Sequence, residues 1–283
     1  MKAVGVSVFL VVFLGLPVAQ AQMTVEAEAV RQNMAHMISR VVELEREQAA
    51  LRARYEEQQA LLSGRAMREQ LPDTPDAMLA WSFNDAGLLL KQEGLFDTAV
   101  LLFDASLEVL EEVLEQDHPA RGTVLQNAAE ALWRQGRAEA FARFSAAADI
   151  FEKLDQNEHW RLGALLNSWA MAKAEEGAVA EAEDLYRRAI VVYSRVPHDD
   201  IAAPLHNLGV LLMQADRLNE SLLLLQQARS ILETSGREQS AEMVAVLRML
   251  SQVAGLQERS RDARRYEQRA QRIVEFLQRE NKD

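Results

Sequence analysis

The chain has 283 residues, of which 49% are hydrophobic and 26% charged, and its formal net charge is −12. That balance describes a folding sequence of one or two domains, and the acidity argues against nucleic acid as a partner, because phosphate backbones would be repelled. There is no cysteine, which excludes a disulfide framework, thiolate chemistry and a lipid attached to cysteine at a cleavage site.

The first 21 residues read as a secretory signal peptide. Lys2 precedes an apolar run from Ala3 to Val18, and Ala19-Gln20-Ala21 closes it, so cleavage is expected after Ala21. The rival reading, a membrane anchor, needs ~20 apolar residues, and this run is shorter and carries Gly15 and Pro17 near its end. Loss of the segment takes the formal charge to −13 and leaves no integral membrane span. The expected location is periplasmic or secreted.

Residues 22–70 form a second segment, expected to be one long helix. Val30, Met34, Met37, Val41, Leu44, Leu51, Tyr55 and Leu62 follow a four-three spacing, with Gln48 and Gln58 in two further seam places. Such spacing over several heptads argues for a coiled coil. In a parallel pair, Arg40 would face Glu45 and Glu47 would face Arg52. The alternative is a lone amphipathic helix lying along the rest of the protein. Pro72 and Pro75 end the segment, and Asp73 or Thr74 can cap the helix that follows.

From residue 71 to the end the chain is a helical repeat domain, with no alternation of period two that would indicate a sheet. The first helix pair carries Phe83, Ala86, Gly87 and Leu90, a turn at Gly94, then Ala99, Phe103 and Ser106. The second has Leu125, Ala128, Ala129 and Leu132, then Ala140, Phe144 and Ala147, with a turn one residue shorter. The third has Leu166, Trp169 and Ala170, then Gly177, Ala182, Tyr186 and Ala189. Its fourth place holds Lys173, a departure that is tolerable if the stem packs and the charge reaches water. The fourth has Leu205, Leu208, Gly209 and Leu212, then Leu218, Ser221, Leu225 and Ala228. The fifth has Leu247, Leu250, Ser251 and Ala254, then Ala263, Tyr266 and Ala270. The closing small residues, Ser106, Ala147, Ala189, Ala228 and Ala270, recur at steps of 41, 42, 39 and 42.

This pattern resembles the tetratricopeptide repeat family over about residues 76–280. The resemblance is clear in GLFDTA at 94–99 and GAVAEA at 177–182, and looser in DRLNES at 216–221. The long step is similar to the variety found in kinesin light chains, as is the turn Asp117-His118-Pro119. The resemblance implies an all-α, right-handed α-solenoid of about five helix pairs with a concave inner face. One helix pair cannot bury its apolar faces alone, so neighbours stack and share a core, and the Arg-rich last helix suits a polar terminal cap. Arg259, Arg261, Arg264, Arg265, Arg269 and Arg272 could alternatively meet an acidic partner or anionic lipid.

The catalytic search finds no G-x-S-x-G, H-E-x-x-H, phosphate-binding loop or calcium loop. No enzyme activity and no cofactor are expected. His118, His159 and His198 each adjoin an acid, but they recur at the repeat period. Equivalent turns stand at least ~8–10 Å apart, too far for ligands that must each lie ~2 Å from one zinc ion. No metal site is expected.

The candidate site is the inner face of the first helix of each pair, by resemblance the wall of the groove. It comprises Trp81, Asn84 and Lys91 in the first repeat, Gln126, Glu130 and Trp133 in the second, and Asn167 and Met171 in the third. His206 and Met213 follow in the fourth repeat and Arg248 in the fifth. Amides, charges, Trp and Met suit a peptide or helix of a partner protein, with Asn side chains able to hydrogen-bond its backbone. The alternative is that Trp81 and Met213 pack internally.

These features point to an exported interaction scaffold or adaptor of the bacterial cell envelope, and to a homo-oligomer through residues 25–62. The plan resembles that of periplasmic proteins that coordinate envelope constriction, though their Gly/Ser-rich linker is absent. A structural spacer and a small-ligand receptor or motif-free enzyme are the competing classes. If residues 25–62 self-associate, light scattering will give a multiple of the monomer mass for residues 22–283 and the monomer mass for residues 71–283. Two monomers would rule the coiled coil out.

Overall fold

The structure is a computed structural model that describes residues 71–72, 74–154, 160–195 and 199–280. The expected signal peptide, the heptad segment, His159 and His198 lie outside the described residues. Ten α-helices run in five consecutive pairs among the described residues. They are α1 (Pro75–Gln92) with α2 (Phe96–Val113), α3 (Pro119–Arg134) with α4 (Glu139–Phe151) and α5 (Trp160–Glu175) with α6 (Val179–Arg195). The last two pairs are α7 (Ala202–Gln214) with α8 (Leu218–Thr234) and α9 (Ala241–Leu256) with α10 (Ser260–Glu280).

Each pair closes through the same backbone turn. The N–H of Gly94 donates to the Lys91 carbonyl, and that of Leu95 to the Leu90 carbonyl five residues back, a Schellman closure. The second bond recurs from Arg137 to Leu132, Ala178 to Lys173, Arg217 to Leu212 and Arg259 to Ala254. The corner residue is left-handed each time. Gly94, Gly136 and Gly177 have φ of +76°, +72° and +81°, while Asp216 and Glu258 reach +60° and +59°. Glycine adopts this conformation freely, whereas Asp216 and Glu258 hold it against a Cβ clash. The shorter second turn is absorbed at the start of α4. Ala140 and Phe141 donate there to carbonyls only three residues back, both at 3.2 Å, a 3₁₀-type tightening.

Three of the first helices, α1, α3 and α9, start on side-chain caps. Thr74 Oγ1, His118 Nδ1 and Ser240 Oγ accept from the N–H groups of Ala77, Ala120 and Met243 at 3.3, 3.2 and 3.1 Å. Pro75 and Pro119 each stand at the helix start, where a missing N–H is harmless. His118, weighed above as a metal ligand, is therefore a helix cap.

Two layers of small-against-large contact hold each pair. In one layer, a Cβ on Gly87 would lie 2.6 Å from the Phe103 ring, and one on Gly209 would lie 2.8 Å from Leu225 Cγ. The helices approach closely enough here for Ser221 Oγ to donate to the Gly209 carbonyl at 2.6 Å. The fifth pair makes the contact from the other helix, with Ser251 Oγ donating to the Ala263 carbonyl at 2.9 Å.

The second layer lies one helix length away, at the start of the first helix and the end of the second. A Cβ on Gly122 would meet Phe151 at 2.6 Å, and one on Gly163 would meet Tyr193 at 2.7 Å. The equivalent places hold Ala80 with Leu110, Ala202 with Leu232 and Val244 with Val274, all buried. Glycine goes with an aromatic ring, alanine with leucine and valine with valine, so the two volumes trade against each other at a fixed helix separation.

Stacking joins the pairs. Each second helix packs on the first helix of the next pair, and successive first helices also touch, α1 on α3 through α7 on α9. One cluster of buried residues runs from Ala80 to Leu212 and a second from Ala202 to Val274. Both draw on α7, which joins them into one continuous apolar spine.

Lys173 differs from expectation in one respect. Its stem packs, but its charge is met by protein rather than by water. Nζ lies 3.0 Å from Glu181, 3.7 Å from Glu176 and 4.0 Å from the centroid of the Phe141 ring. The two ends of the array also differ. Arg261, Arg264, Arg265 and Arg272 are exposed on α10, as a polar cap requires. On α1, Leu89 is 63% exposed, whereas its counterparts Ala131, Ala172, Leu211 and Val253 are buried beneath the preceding repeat.

The volume trade predicts a compensating pair. Gly122→Ala should overpack Phe151 and destabilise by about 1–3 kcal/mol. Phe151→Leu should open a cavity. The double variant, which recreates the Ala80–Leu110 combination, should recover about 0.5–3 kcal/mol of coupling in urea-unfolding cycles. Simple additivity would disprove the trade.

Candidate partner-binding face

The inner surface is built from the first helices. Helix periodicity carries the packing stripe to one side and the residue just after each leading apolar residue off it, toward the side that the family resemblance makes the inner one. These are Asn84, Gln126, Asn167, His206 and Arg248.

Across neighbouring helices the side chains form a hydrogen-bonded ladder. Asn127 Nδ2 on α3 donates to Asn84 Oδ1 on α1 at 2.8 Å. Asn207 Nδ2 on α7 donates to Asn167 Oδ1 on α5 at 3.0 Å. The amide roles repeat across the two steps although the residues are 43 and 40 apart in sequence. Between them stands Glu130, which accepts from Lys91 Nζ on α1 at 2.7 Å and from Gln126 Nε2 at 3.1 Å. Ser168 on α5 also bonds to Glu130. Burial alone would push the Glu130 carboxyl upward, but Lys91, Gln126 and Ser168 outweigh it and hold the group below its ordinary value. His206 Nδ1 lies 3.2 Å from Asn207 Oδ1.

The eleven candidate residues therefore divide. Trp81, Asn84 and His206 are buried, at 2%, 0% and 7% exposure, and as placed they offer almost no surface to a ligand. The half-buried set is Lys91, Gln126, Glu130, Trp133, Asn167, Met171, Met213 and Arg248. The Arg134 guanidinium stacks 4.5 Å from the Trp133 ring centroid, and Asn167 Nδ2 makes only a long 3.9 Å contact with Met171 Sδ. Trp169, expected on the packing side, stacks on Phe144 with ring centroids 6.1 Å apart.

Asn127 and Asn207 were missed by the sequence reading. Each follows a named candidate by one residue, and the signal for them was the recurrence of Asn at that place in the second and fourth repeats. Beside the buried Asn84, the face offers half-buried amides at Gln126, Asn127, Asn167 and Asn207, with Trp133, Met171 and Met213 also half-buried on the first helices. Among the described residues no group of three or more His, Asp or Glu is positioned to hold a metal ion. Among the same residues no helix is long and apolar enough to cross a membrane.

The family model for the tetratricopeptide repeat matches residues 78–153, 160–234 and 200–275. The chain belongs to the tetratricopeptide repeat family. None of the curated proteins matches the sequence. Among solved structures, the chain is similar to a Podosopora anserina putative kinesin light chain of nearly identical TPR-like repeats. Identity is 21% and the TM-score 0.60, over 74% of this chain and 100% of that one. It is also similar to BtubC (BKLC) from P. vanneervenii, at 18% identity and TM-score 0.58, over 83% and 92%. The Rap conjugation gene regulator of plasmid pLS20, solved in complex with the Phr* peptide, matches at 16% identity and TM-score 0.54. That match covers 70% of this chain and about half, 54%, of the regulator. At these identities the structural likenesses establish the fold.

The Lys91–Glu130 pair gives a test with a sign. A carboxyl depressed in the folded state contributes stability above its unfolded value of about 4.3, and that contribution is lost as pH falls through the lower folded value. Lys91→Met should therefore destabilise by about 1–3 kcal/mol at neutral pH, by leaving a half-buried carboxylate short of its partner. The deficit relative to wild type should shrink below about pH 4 as Glu130 takes a proton. Urea unfolding of both proteins across this range measures it, and a pH-independent deficit would contradict the assignment.

Proposed function

We propose that this chain is an exported binding scaffold of the bacterial cell envelope that holds a segment of a partner protein along the inner face of α1, α3, α5, α7 and α9. The observation that carries the reading is the cross-repeat amide ladder, with Trp133, Met171 and Met213 half exposed beside it. Amides already fixed by one another lose little side-chain freedom on binding, and their remaining donors and acceptors suit a peptide backbone. The repeat family and the peptide complex of the Rap regulator support a peptide-like ligand. The apolar run ending in Ala19-Gln20-Ala21 supports export.

A second reading, a homo-oligomer that acts as a spacer, rests on the four-three spacing from Val30 to Leu62. The two are compatible, since self-association through residues 25–62 would present several grooves at once and raise avidity.

Photo-crosslinking in the producing cell tests the scaffold reading. A photoreactive side chain at position 171 or 213 should yield a discrete adduct with one other protein. The same group at Leu101 or Leu223, which are 67% and 61% exposed on the second helices, should yield none. The adducted chain should begin at Gln22. Adducts confined to the outer positions, or a chain retaining residues 1–21 in the cytoplasm, would refute the corresponding half of the proposal.

A further inference from the structure

The array begins on a face that every later repeat covers. Met78, Leu79, Ser82 and Leu89 lie along one side of α1 and are all exposed, Met78 and Leu79 by 47% each. In the later repeats the place of Ser82 is taken by Val124, Leu165, Pro204 and Val246, all buried. The counterparts of Leu89 are buried as well. What covers these places is the second helix of the preceding pair, α2 on α3 through α8 on α9. Helix α1 has no such helix before it among the described residues. A single exposed leucine is ordinary, but an exposed stripe at helical spacing, buried in four equivalent helices, marks a missing neighbour.

The place where the chain enters α1 indicates what that neighbour is. Leu71 is half-buried and packs on the core, as do Val113 and Leu154, 42 and then 41 residues further on. Val113 is the last residue of α2 and Leu154 follows the end of α4, so Leu71 stands where a second helix would finish. Five to eight residues separate each second helix from the first helix after it. The same connection before Pro75 puts the end of the missing helix between residues 66 and 69.

Residues 53–70 lie outside the described residues, but their sequence carries a suitable face. Ala53, Ala60, Gly64 and Met67 lead at helical spacing into Leu71, and no proline interrupts them. At about 3.6 residues per turn this face is opposite to Leu51, Tyr55 and Leu62 of the heptad seam.

We propose that residues 53–70 form the second helix of an incomplete pair ahead of α1 and cover Met78, Leu79, Ser82 and Leu89. A short connection makes the segment antiparallel to α1. Met67 then comes level with Met78 and Leu79, Gly64 comes level with Ser82, and Leu89 falls between Ala53 and Ala60. Small residues again oppose large ones, as within the pairs. Covalent attachment gives this segment a high effective concentration at the face, ahead of any free occupant. The heptad seam points away and stays open to a second copy. The covered face is the stacking face, so the proposal does not depend on the groove reading.

The chain contains no cysteine, so a pair of introduced thiols reports the contact without background. In the full chain, Met67→Cys with Met78→Cys should close within one molecule under mild oxidation at least ~10-fold faster than Met67→Cys with Leu101→Cys. Leu101 is a fair control, because its counterpart Leu223 is exposed in the interior of the array. Equal rates for the two pairs would show that the segment has no fixed place, and would overturn the proposal. A link that forms only between molecules, seen on mixing the two single variants Met67→Cys and Met78→Cys, would give the face to a second copy and overturn it too. Independently of thiols, Leu89→Asp should lower the melting temperature of the full chain by at least ~4 °C, and Leu101→Asp should move it by less than ~2 °C. Two equally small shifts would mean that the outer side of α1 stays in water, and would end the proposal.

Discussion

How near two antiparallel helices can come is set by the side chains between them, and in this chain that distance recurs five times. Gly87 against Phe103 and Gly122 against Phe151 leave no room for one further carbon atom. Each pair is pinned at two heights, near the turn and at the open end, so its helices cannot splay. With pairs of uniform thickness, stacking proceeds at an even pitch, and first helices touch first helices along the whole array. The ladder depends on that pitch. An Asn side chain reaches only a few ångströms, and the 2.8 Å and 3.0 Å bonds from Asn127 and Asn207 would be lost if one pair thickened by the width of a methyl group.

Ionic contacts between repeats work on a looser tolerance. Arg143 reaches Asp104 at 2.7 Å, Arg188 reaches Glu152 at 3.2 Å and Arg217 reaches Glu183 at 2.6 Å. Each bridges one repeat to the next, and long flexible side chains accommodate small changes in spacing. A hydrogen bond from Arg217 holds the Glu183 carboxyl below its ordinary value against the opposing push of burial, with Arg187 adding to it. Exposed pairs of this kind each contribute only ~0–1 kcal/mol. They set register between repeats, while the apolar spine through α7 supplies the stability.

The sequence made the repeat legible because one of the two layers uses nearly the same letters each time. Ala99, Ala140, Ala182, Ser221 and Ala263 are all small, and any single instance would have meant little. The other layer was invisible for a physical reason. Ala80, Gly122, Gly163, Ala202 and Val244 share no residue type, because what is kept constant is the sum of two volumes lying about thirty residues apart in the chain. The inner face was legible as a direction but not as a set of bonds. Helix periodicity put Asn84 and Asn167 off the packing stripe and the family resemblance made that side the groove, but the stacking of the pairs decides that Asn127 meets Asn84, and it leaves Asn84 buried rather than available. Lys173 could be read as tolerable, but its carboxylate partners come from the turn and the next helix, Glu176 and Glu181.

Packing constraints and the proposed recognition therefore fall on different faces of the same helix, and this separation would let the fold carry a specificity. On the packing face, change is confined to volume-conserving trades, so that face is uniform from repeat to repeat and says nothing about a ligand. On the inner face no such constraint applies, and the five repeats diverge. The first two share the Lys91–Glu130 pair, the third and fourth are joined by amides, and the fifth carries Arg248 beside Met249. A ligand lying along such a face would meet a different chemical group every repeat, in an order fixed by the stacking. Under the proposed function, direction and register of binding would follow from the one dimension in which the array is not periodic.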